Sequence, residues 1–305
     1  MADSAPITKP ETTARGVFLM LGAFLMYSGI DILAKGLGEQ GYHPVMITWG
    51  RTAMQVLMLL PFMLRAGGLG AFVTRHPKTQ FVRGFVMTFA GIFFVSGLAY
   101  LPLATMTAIN FVSPFMITML SVWILKEVVG PHRWIAIAIG FFGALVIIRP
   151  GTDSFHPAGL FAIAAAACWA ISVIATRLVQ DEDSGTLTMF YTAVIGVTLT
   201  SFMVPFFWMP LTLEAWFYVV GMGIFSIVGQ AFMIGALRHA SPSLLAPIGY
   251  SQLLWATLFG FLLFGNLPNV WTWAGAGIIV LSGLYMWWRE QELKKPPAPA
   301  LSHRE

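Results

Sequence analysis

The chain has 305 residues, 57% hydrophobic and 10% charged, with a mean hydropathy of +0.77. Soluble domains carry about 25% charged residues, so the composition excludes a water-soluble globular protein and indicates a single membrane unit. The net charge of +4 and the pI near 9.3 do not indicate nucleic acid, because Lys and Arg sit at the ends of apolar runs and in short loops, and the one cysteine, Cys168, excludes an intrachain disulfide.

Ten apolar stretches follow one another at 16–35, 45–64, 84–101, 104–125, 134–149, 158–176, 187–208, 213–236, 242–264 and 269–288. Each approaches the roughly 20 residues needed to cross ~30 Å of hydrocarbon. Residues 1–15, with Asp3 and Glu11, read as a solvated cytoplasmic tail. The first stretch has no small-residue cleavage site after it and reads as a permanent span, not a signal peptide. It contains Tyr27 and Asp31 and ends at Lys35; the second carries Arg51. The fourth holds Asn110, Ser113 and Pro114, the sixth Trp169, and the ninth Pro247, Tyr250, Ser251, Gln252 and Trp255. The fifth, sixth and tenth are rich in Ala and Gly, which lets helices approach closely. Trp216, Trp271, Trp273, Trp287 and Trp288 flank spans and read as interface anchors. Residues 291–305, with Pro296, Pro297 and Pro299, read as a disordered cytoplasmic tail.

Orientation follows from the basic residues. With the N-terminus inside, Lys9, Arg15, Arg65, Arg75, Lys78, Arg83, Lys126, Arg133, Arg177, Arg238, Arg289, Lys294, Lys295 and Arg304 are cytoplasmic. Only Lys35 and Arg149 fall outside, and Arg51 lies within a span. Basic residues near spans stay on the cytoplasmic side, so both termini are expected inside, in a plasma membrane (for a bacterium, the inner membrane). The chain also repeats. Trp134 to Arg149, with Gly140 and Gly143, corresponds to Trp273 to Arg289, with Gly277 and Gly283, at a displacement of 137–140 residues. Tyr27 aligns with Trp169, and Lys35 with Arg177. Five spans per half is an odd number, which inverts the second copy. The expected fold is all-α integral membrane: ten transmembrane helices as two inverted five-helix repeats, 16–151 and 152–290. Inverted repeats are typical of transporters that hold substrate where the repeats meet.

A series of short motifs runs through the first half. These are Asp31-Ile-Leu-Ala-Lys35, Trp49-Gly-Arg51, Arg83-Gly84, Ala99-Tyr-Leu-Pro-Leu-Ala104, Ser113-Pro114, Leu125-Lys-Glu127 and Ile147-Ile-Arg-Pro-Gly151. Over about residues 16–288 the chain resembles the drug/metabolite transporter superfamily, and within it the ten-helix EamA-type members. It departs from that pattern at Gly265-Asn266, where the second repeat of such proteins often has Gly-Glu. The resemblance implies export or uptake of small metabolites: amino acids, vitamins, nucleoside-like compounds or drugs. The Asp-x-x-x-Lys and Tyr-Leu-Pro-Leu features lean towards the branch that carries S-adenosylmethionine, riboflavin and carboxylates or amines.

A charge at the centre of a span costs about 2.5–3.5 kcal/mol on insertion scales and so faces protein or water. Asp31 lies about 6 Å from the outer end of its span at Lys35, and Arg51 about 9 Å below the same surface, by the helical rise. The two are expected at similar depth as a charge pair, with Lys35 on the same helix face as Asp31 at i, i+4. That arrangement serves either as a structural clamp for Arg51 or as an outer gate and docking point. No charge falls at the midplane, and all six histidines lie in loops, tails or helix ends; a facilitator or exchanger therefore fits better than proton coupling through Asp31. The expected substrate-binding residues are neutral: Tyr27, Asn110, Ser113, Trp169, Tyr250, Gln252 and Trp255. Each could instead join helices by hydrogen bonds worth ~0.6 kcal/mol. Pro114 and Pro247 free carbonyls, which is tolerated at that depth only beside protein or a cavity.

No phosphate-binding Gly-x-x-x-x-Gly-Lys-Ser/Thr loop, Cys/His cluster, His-Glu-x-x-His or Gly-x-Ser-x-Gly occurs in the sequence. The expectation is a non-enzyme without cofactor or metal. It would move a small organic metabolite by alternating access, as a monomer or weak homodimer in the lipid bilayer, with no nucleic-acid partner. The rival readings are an integral membrane enzyme, which would need paired acids or a nucleophile at one interface, and a membrane sensor or scaffold without transport.

Overall fold

The computed structural model describes residues 10–126, 130–151, 156–179, 182–240 and 242–294. Ten helices among them are long and apolar enough to cross a membrane, and no strand occurs among the described residues. In chain order these spans are Ala14–Glu39, Pro44–Arg65, Pro77–Leu98, Leu103–Ile124, Pro131–Ile148, Gly159–Arg177, Gly185–Phe206, Leu213–His239, Pro247–Phe264 and Val270–Arg289. The chain is an all-helical, multi-pass membrane protein.

Local chemistry sets the span ends. Proline follows the cap at the starts of spans two, three and five, where its missing N–H costs nothing. The side chains of His43, Ser184 and Thr212 cap spans two, seven and eight by accepting from Val45, Leu187 and Ala215 N–H groups. Span five ends at Arg149, which takes a left-handed conformation (φ 52°) and returns its N–H to the Leu145 carbonyl at 2.8 Å. Pro150 then prevents continuation, and the Arg149 guanidinium lies 5.7 Å over the Trp271 ring at the start of span ten. This is the physical content of the Arg-Pro-Gly terminus.

Several boundaries differ from the apolar pattern. Span one continues to Glu39, past Lys35, because Lys35 is buried in the bundle (6% exposed) and ends no helix. Span three begins at Pro77 and not at residue 84, so Lys78, Gln80 and Arg83 lie in its first turns. The N-terminal helix starts at Pro10 within the expected tail, and the last helix continues to Lys294. Residues 1–9 and 295–305, and Glu127 of the Leu-Lys-Glu motif, lie outside the described residues.

The helices pack in pairs. Span one packs on span eight, three on six, five on ten, two on seven, and four on nine. Exchanging the halves converts one–eight into six–three and returns each of the other pairs to itself. Spans five and ten approach most closely at a glycine pair. A Cβ on Gly275 would stand 2.5 Å from the Gly143 carbonyl, and one on Gly143 2.9 Å from the Gly275 carbonyl.

Polar contacts tie the two ends of the bundle. At the end expected to face outward, Trp49 Nε1 donates to Ser201 Oγ at 2.9 Å, and the His43 ring stacks on Phe207 at 3.7 Å. At the opposite end, Arg83 reaches from span three to Thr176 Oγ1 (2.7 Å), the Thr188 carbonyl (2.9 Å) and Thr192. Glu182 lies 3.1 Å from His76 and 3.6 Å from Arg75; this exposed ionic contact contributes little. Burial alone would raise the Asp183 carboxyl pKa, but hydrogen bonds from Thr74, Gln80 and the Arg75 backbone hold it below the ordinary range. Its stabilising contribution is therefore present above the unfolded value near 3.9 and is lost as the pH falls through the lower folded value.

Orientation can be checked at Val73, which is 72% exposed between spans two and three. A Val73→Cys variant on a Cys168→Ser background should resist an impermeant thiol reagent in intact cells and react in inside-out vesicles. Labelling in intact cells would reverse the assigned topology.

Candidate substrate site between the broken spans

Spans four and nine are both interrupted where they meet. Span four consists of Leu103–Asn110 and Ser113–Ile124. Pro114 has no N–H to offer the Asn110 carbonyl, and the chain crosses the break on short bonds, Val112 N to Ile109 O (3.0 Å) and Phe115 N to Val112 O (3.1 Å). At the entrance of span nine the chain passes from the helical turn Pro242–Leu245 through a 3-10 segment, Ala246–Tyr250, which contains Pro247, to the helix Ser251–Phe264. Phe111 and Tyr250, one at each break, meet edge to face at 5.3 Å.

Around the breaks lie polar atoms buried without a protein partner. They are Asn110 Oδ1 and Thr107 Oγ1 on span four, and Ser251 Oγ, Trp255 Nε1 and Thr257 Oγ1 on span nine. Such a group costs about 1–3 kcal/mol if nothing satisfies it. Asn110 accepts and the indole donates, so together they match a solute carrying both donors and acceptors.

Span one covers this region from the side. Gln252 Nε2 donates to Asp31 Oδ2 at 3.2 Å, and Ser28 Oγ makes a long contact of 3.5 Å to the Gln252 carbonyl. Tyr27 donates to Gln230 Oε1 of span eight at 3.2 Å. Because span one ends at Glu39, Asp31 is about 12 Å from its C-terminal end by the helical rise, twice as deep as the apolar pattern suggested.

The expected site residues therefore divide. Tyr27, Asp31, Tyr250 and Gln252 form one strip over spans eight, one and nine, which continues through Phe111 to Asn110 on span four. Ser251 and Trp255 sit on the same helix as Gln252. Ser113 is buried at the restart of span four. Tyr250 faces partly away, since its hydroxyl occupies the space where a Cβ on Gly283 of span ten would stand. Trp169 stands apart. It is 44% exposed and makes none of the hydrogen bonds or ring contacts found among the described residues.

Asp31 and Arg51 do not approach within 4.0 Å, the reach of the ion pairs found among the described residues. Their charges still act on one another. Gln252 takes one oxygen of the carboxylate, while the Arg51 guanidinium points to span three, with Nη2 2.7 Å from where a Gly91 Cβ would be. Lys35 turns away from Asp31. Its ammonium lies 4.7 Å over the Phe264 ring and lines a cavity of about 360 Å³ with Glu39, Tyr100 and Asn266 at the end of the bundle expected to face outward. Phe111, Thr107 and Thr257 escaped the sequence analysis. Only Thr107 carried a signal, its i, i+3 spacing to Asn110, which puts both on one helix face beside a proline break.

The model of the EamA-like transporter family matches residues 14–149 and again 156–288, once in each half. The chain belongs to this family. It is 27% identical to the S-adenosylmethionine uptake transporter of Rickettsia prowazekii, over 92% of this chain and 95% of that protein. It is 28% identical to the riboflavin transporter of Vibrio cholerae, over 88% of this chain and 91% of that protein. A solved crystal structure has the same fold, with a TM-score of 0.63 at 19% identity, covering 92% of this chain and 99% of its own.

The charge arrangement predicts a measurable coupling. Asp31→Asn leaves Arg51 uncompensated at low dielectric, so thermal unfolding of the purified protein should shift down. The double change with Arg51→Gln should recover part of the loss, with a coupling of about 0.5–3 kcal/mol. Additive single effects would show that the two charges are independent.

Proposed function

We propose that this EamA-family chain carries a small organic metabolite across the membrane by alternating access, holding it between spans four and nine. The observation that carries this reading is the set of unpartnered buried polar atoms on two broken helices that pack together: Asn110 and Thr107 on one, Ser251, Trp255 and Thr257 on the other. Discontinuous helices at corresponding positions of two repeats are the usual pointer to a transporter binding site. The aromatic rings of Phe111, Tyr250 and Trp255 supply apolar walls, and the amides and hydroxyls supply orientation. Packing that maps onto itself when the halves are exchanged supports inverted five-span repeats, and basic loops support cytoplasmic termini.

S-Adenosylmethionine and riboflavin, named for two relatives, are the substrates to try first. Both present ring systems with many hydrogen-bonding groups, as this site requires. Gln252 already holds Asp31, which favours a facilitator or exchanger over a proton-driven carrier. Asp31 and Arg51 then serve as a charged shoulder on the outer side of the site.

The test is uptake of radiolabelled S-adenosylmethionine and riboflavin into proteoliposomes. At least one should accumulate to the external concentration without a proton gradient. Gln252→Ala and Trp255→Leu should each lower uptake about tenfold, corresponding to roughly 1.4 kcal/mol; Trp255→Leu should unfold close to the wild-type temperature, and Gln252→Ala lower, because Asp31 loses its hydrogen bond. Trp169→Ala, which lies apart from the cluster, should transport normally. Full transport by folded Gln252→Ala and Trp255→Leu proteins would remove this site from consideration.

A further inference from the structure

Two contacts at opposite ends of the bundle occupy the same place in the two repeats. Tyr42 stands two residues before span two, and Asp183 two residues before span seven, its counterpart in the second half. Both side chains are buried, at 3% and 6% exposed. The Tyr42 hydroxyl donates to the Pro210 carbonyl at 3.0 Å and accepts the Thr212 N–H at 3.1 Å. Asp183 Oδ2 accepts from Thr74 Oγ1 at 2.5 Å and from Gln80 Nε2 at 2.8 Å, and the carboxylate also accepts from the Arg75 backbone. Pro210 is three residues before span eight and Thr74 three residues before span three. The same step, from the entrance of a repeat's second helix to the segment before the other repeat's third helix, is thus taken once at each face of the membrane.

We propose that these contacts are the two latches of the transport cycle: Tyr42 closes the outer face and Asp183 the inner face. The inference rests on the transporter reading above. Each latch joins the two halves, so whichever face opens must separate one of them. Neither can be replaced by lipid, because the groups involved would be left unpaired near the interface. The structure has both latches made, which is the arrangement of an occluded carrier. Their chemistry differs. The outer latch is neutral and flanked by the His43–Phe207 stack; the inner one is a carboxylate with Glu182, His76 and Arg75 beside it. The two faces can therefore open with different ease from one symmetric scaffold.

The test needs no substrate. A reporter cysteine at Asn110, on a Cys168→Ser background, is alkylated with an impermeant maleimide in intact cells and in inside-out vesicles. Tyr42→Phe removes both outer-latch hydrogen bonds and should speed labelling in intact cells about three- to tenfold, as expected for roughly 0.7–1.4 kcal/mol, without speeding it in vesicles. Thr74→Val with Gln80→Leu should do the reverse. Gln40→Ala, which removes an exposed hydrogen bond to Glu214 in the same outer loop, should change neither rate. Equal acceleration from both sides, or no change in either variant, would overturn the proposal. Crosslinking a Tyr42→Cys, Thr212→Cys pair should abolish labelling from outside only, and persistence of that labelling would also contradict it. A protein that gates as described but takes up no solute would refute the transporter reading and leave the latches standing.

Discussion

A helix broken inside hydrocarbon exposes backbone groups that lipid cannot satisfy, and most of this architecture follows from where the two breaks are placed. Pro114 and Pro247 each remove a backbone donor within a span. Neither break can face lipid, so spans four and nine must turn them inward, and the simplest arrangement sets one against the other. Phe111 and Tyr250 then meet across the gap. The other spans form the wall that keeps lipid away, with one and eight on one flank, three and six on the other, and five and ten drawn together by Gly143 and Gly275. The breaks thus create a region near mid-depth where polar atoms are both sheltered and unpartnered.

Charges follow the same logic. Arg51, Asp31 and Arg83 lie within spans, where ionised side chains are costly unless the protein solvates them. Arg83 is held by span six and seven oxygens. Asp31 is held by Gln252. Lys35, which forms no ion pair among the described residues, lies over the face of Phe264 instead, a cation–π contact worth more where water is scarce. The side chain that binds Asp31 also belongs to the strip running past the breaks, so a solute that engaged Gln252 would alter how Asp31 is held. The charged shoulder and the neutral site are therefore connected through one amide.

Much of the fold was legible because hydropathy and basic loops are strong, redundant signals. All ten spans were expected, and eight of the ten began within four residues of the observed span; span nine, read from residue 242, begins at Pro247, and span three begins seven residues early, with Lys78, Gln80 and Arg83 in its first turns. Those residues read as loop because the signal records partition into lipid, whereas Gln80 Nε2 and the Arg83 guanidinium donate to Asp183, Thr176 and Thr188 from the other half. Asp31 read as shallow for a similar reason: a buried Lys35 looked like a span end. The Tyr42 and Asp183 contacts were invisible, since each depends on two loops from different repeats meeting. Trp169, aligned with Tyr27 in the sequence, lies apart from the strip that holds Tyr27. Tyr27, Asn110, Tyr250 and Gln252, which lie along the strip past the breaks, stood out in the sequence because polar residues in apolar spans are few.

The proposed seat of the transported solute is between the two breaks, where the halves meet. An experimental structure of the protein with its transported solute bound tests that placement most directly. The account predicts density for the solute between spans four and nine, within hydrogen-bonding distance of Asn110 and Trp255 and beside Gln252. Solute seated elsewhere, such as along spans five and ten or only in the outer cavity at Lys35, with Asn110 and Trp255 still unpartnered, would contradict it.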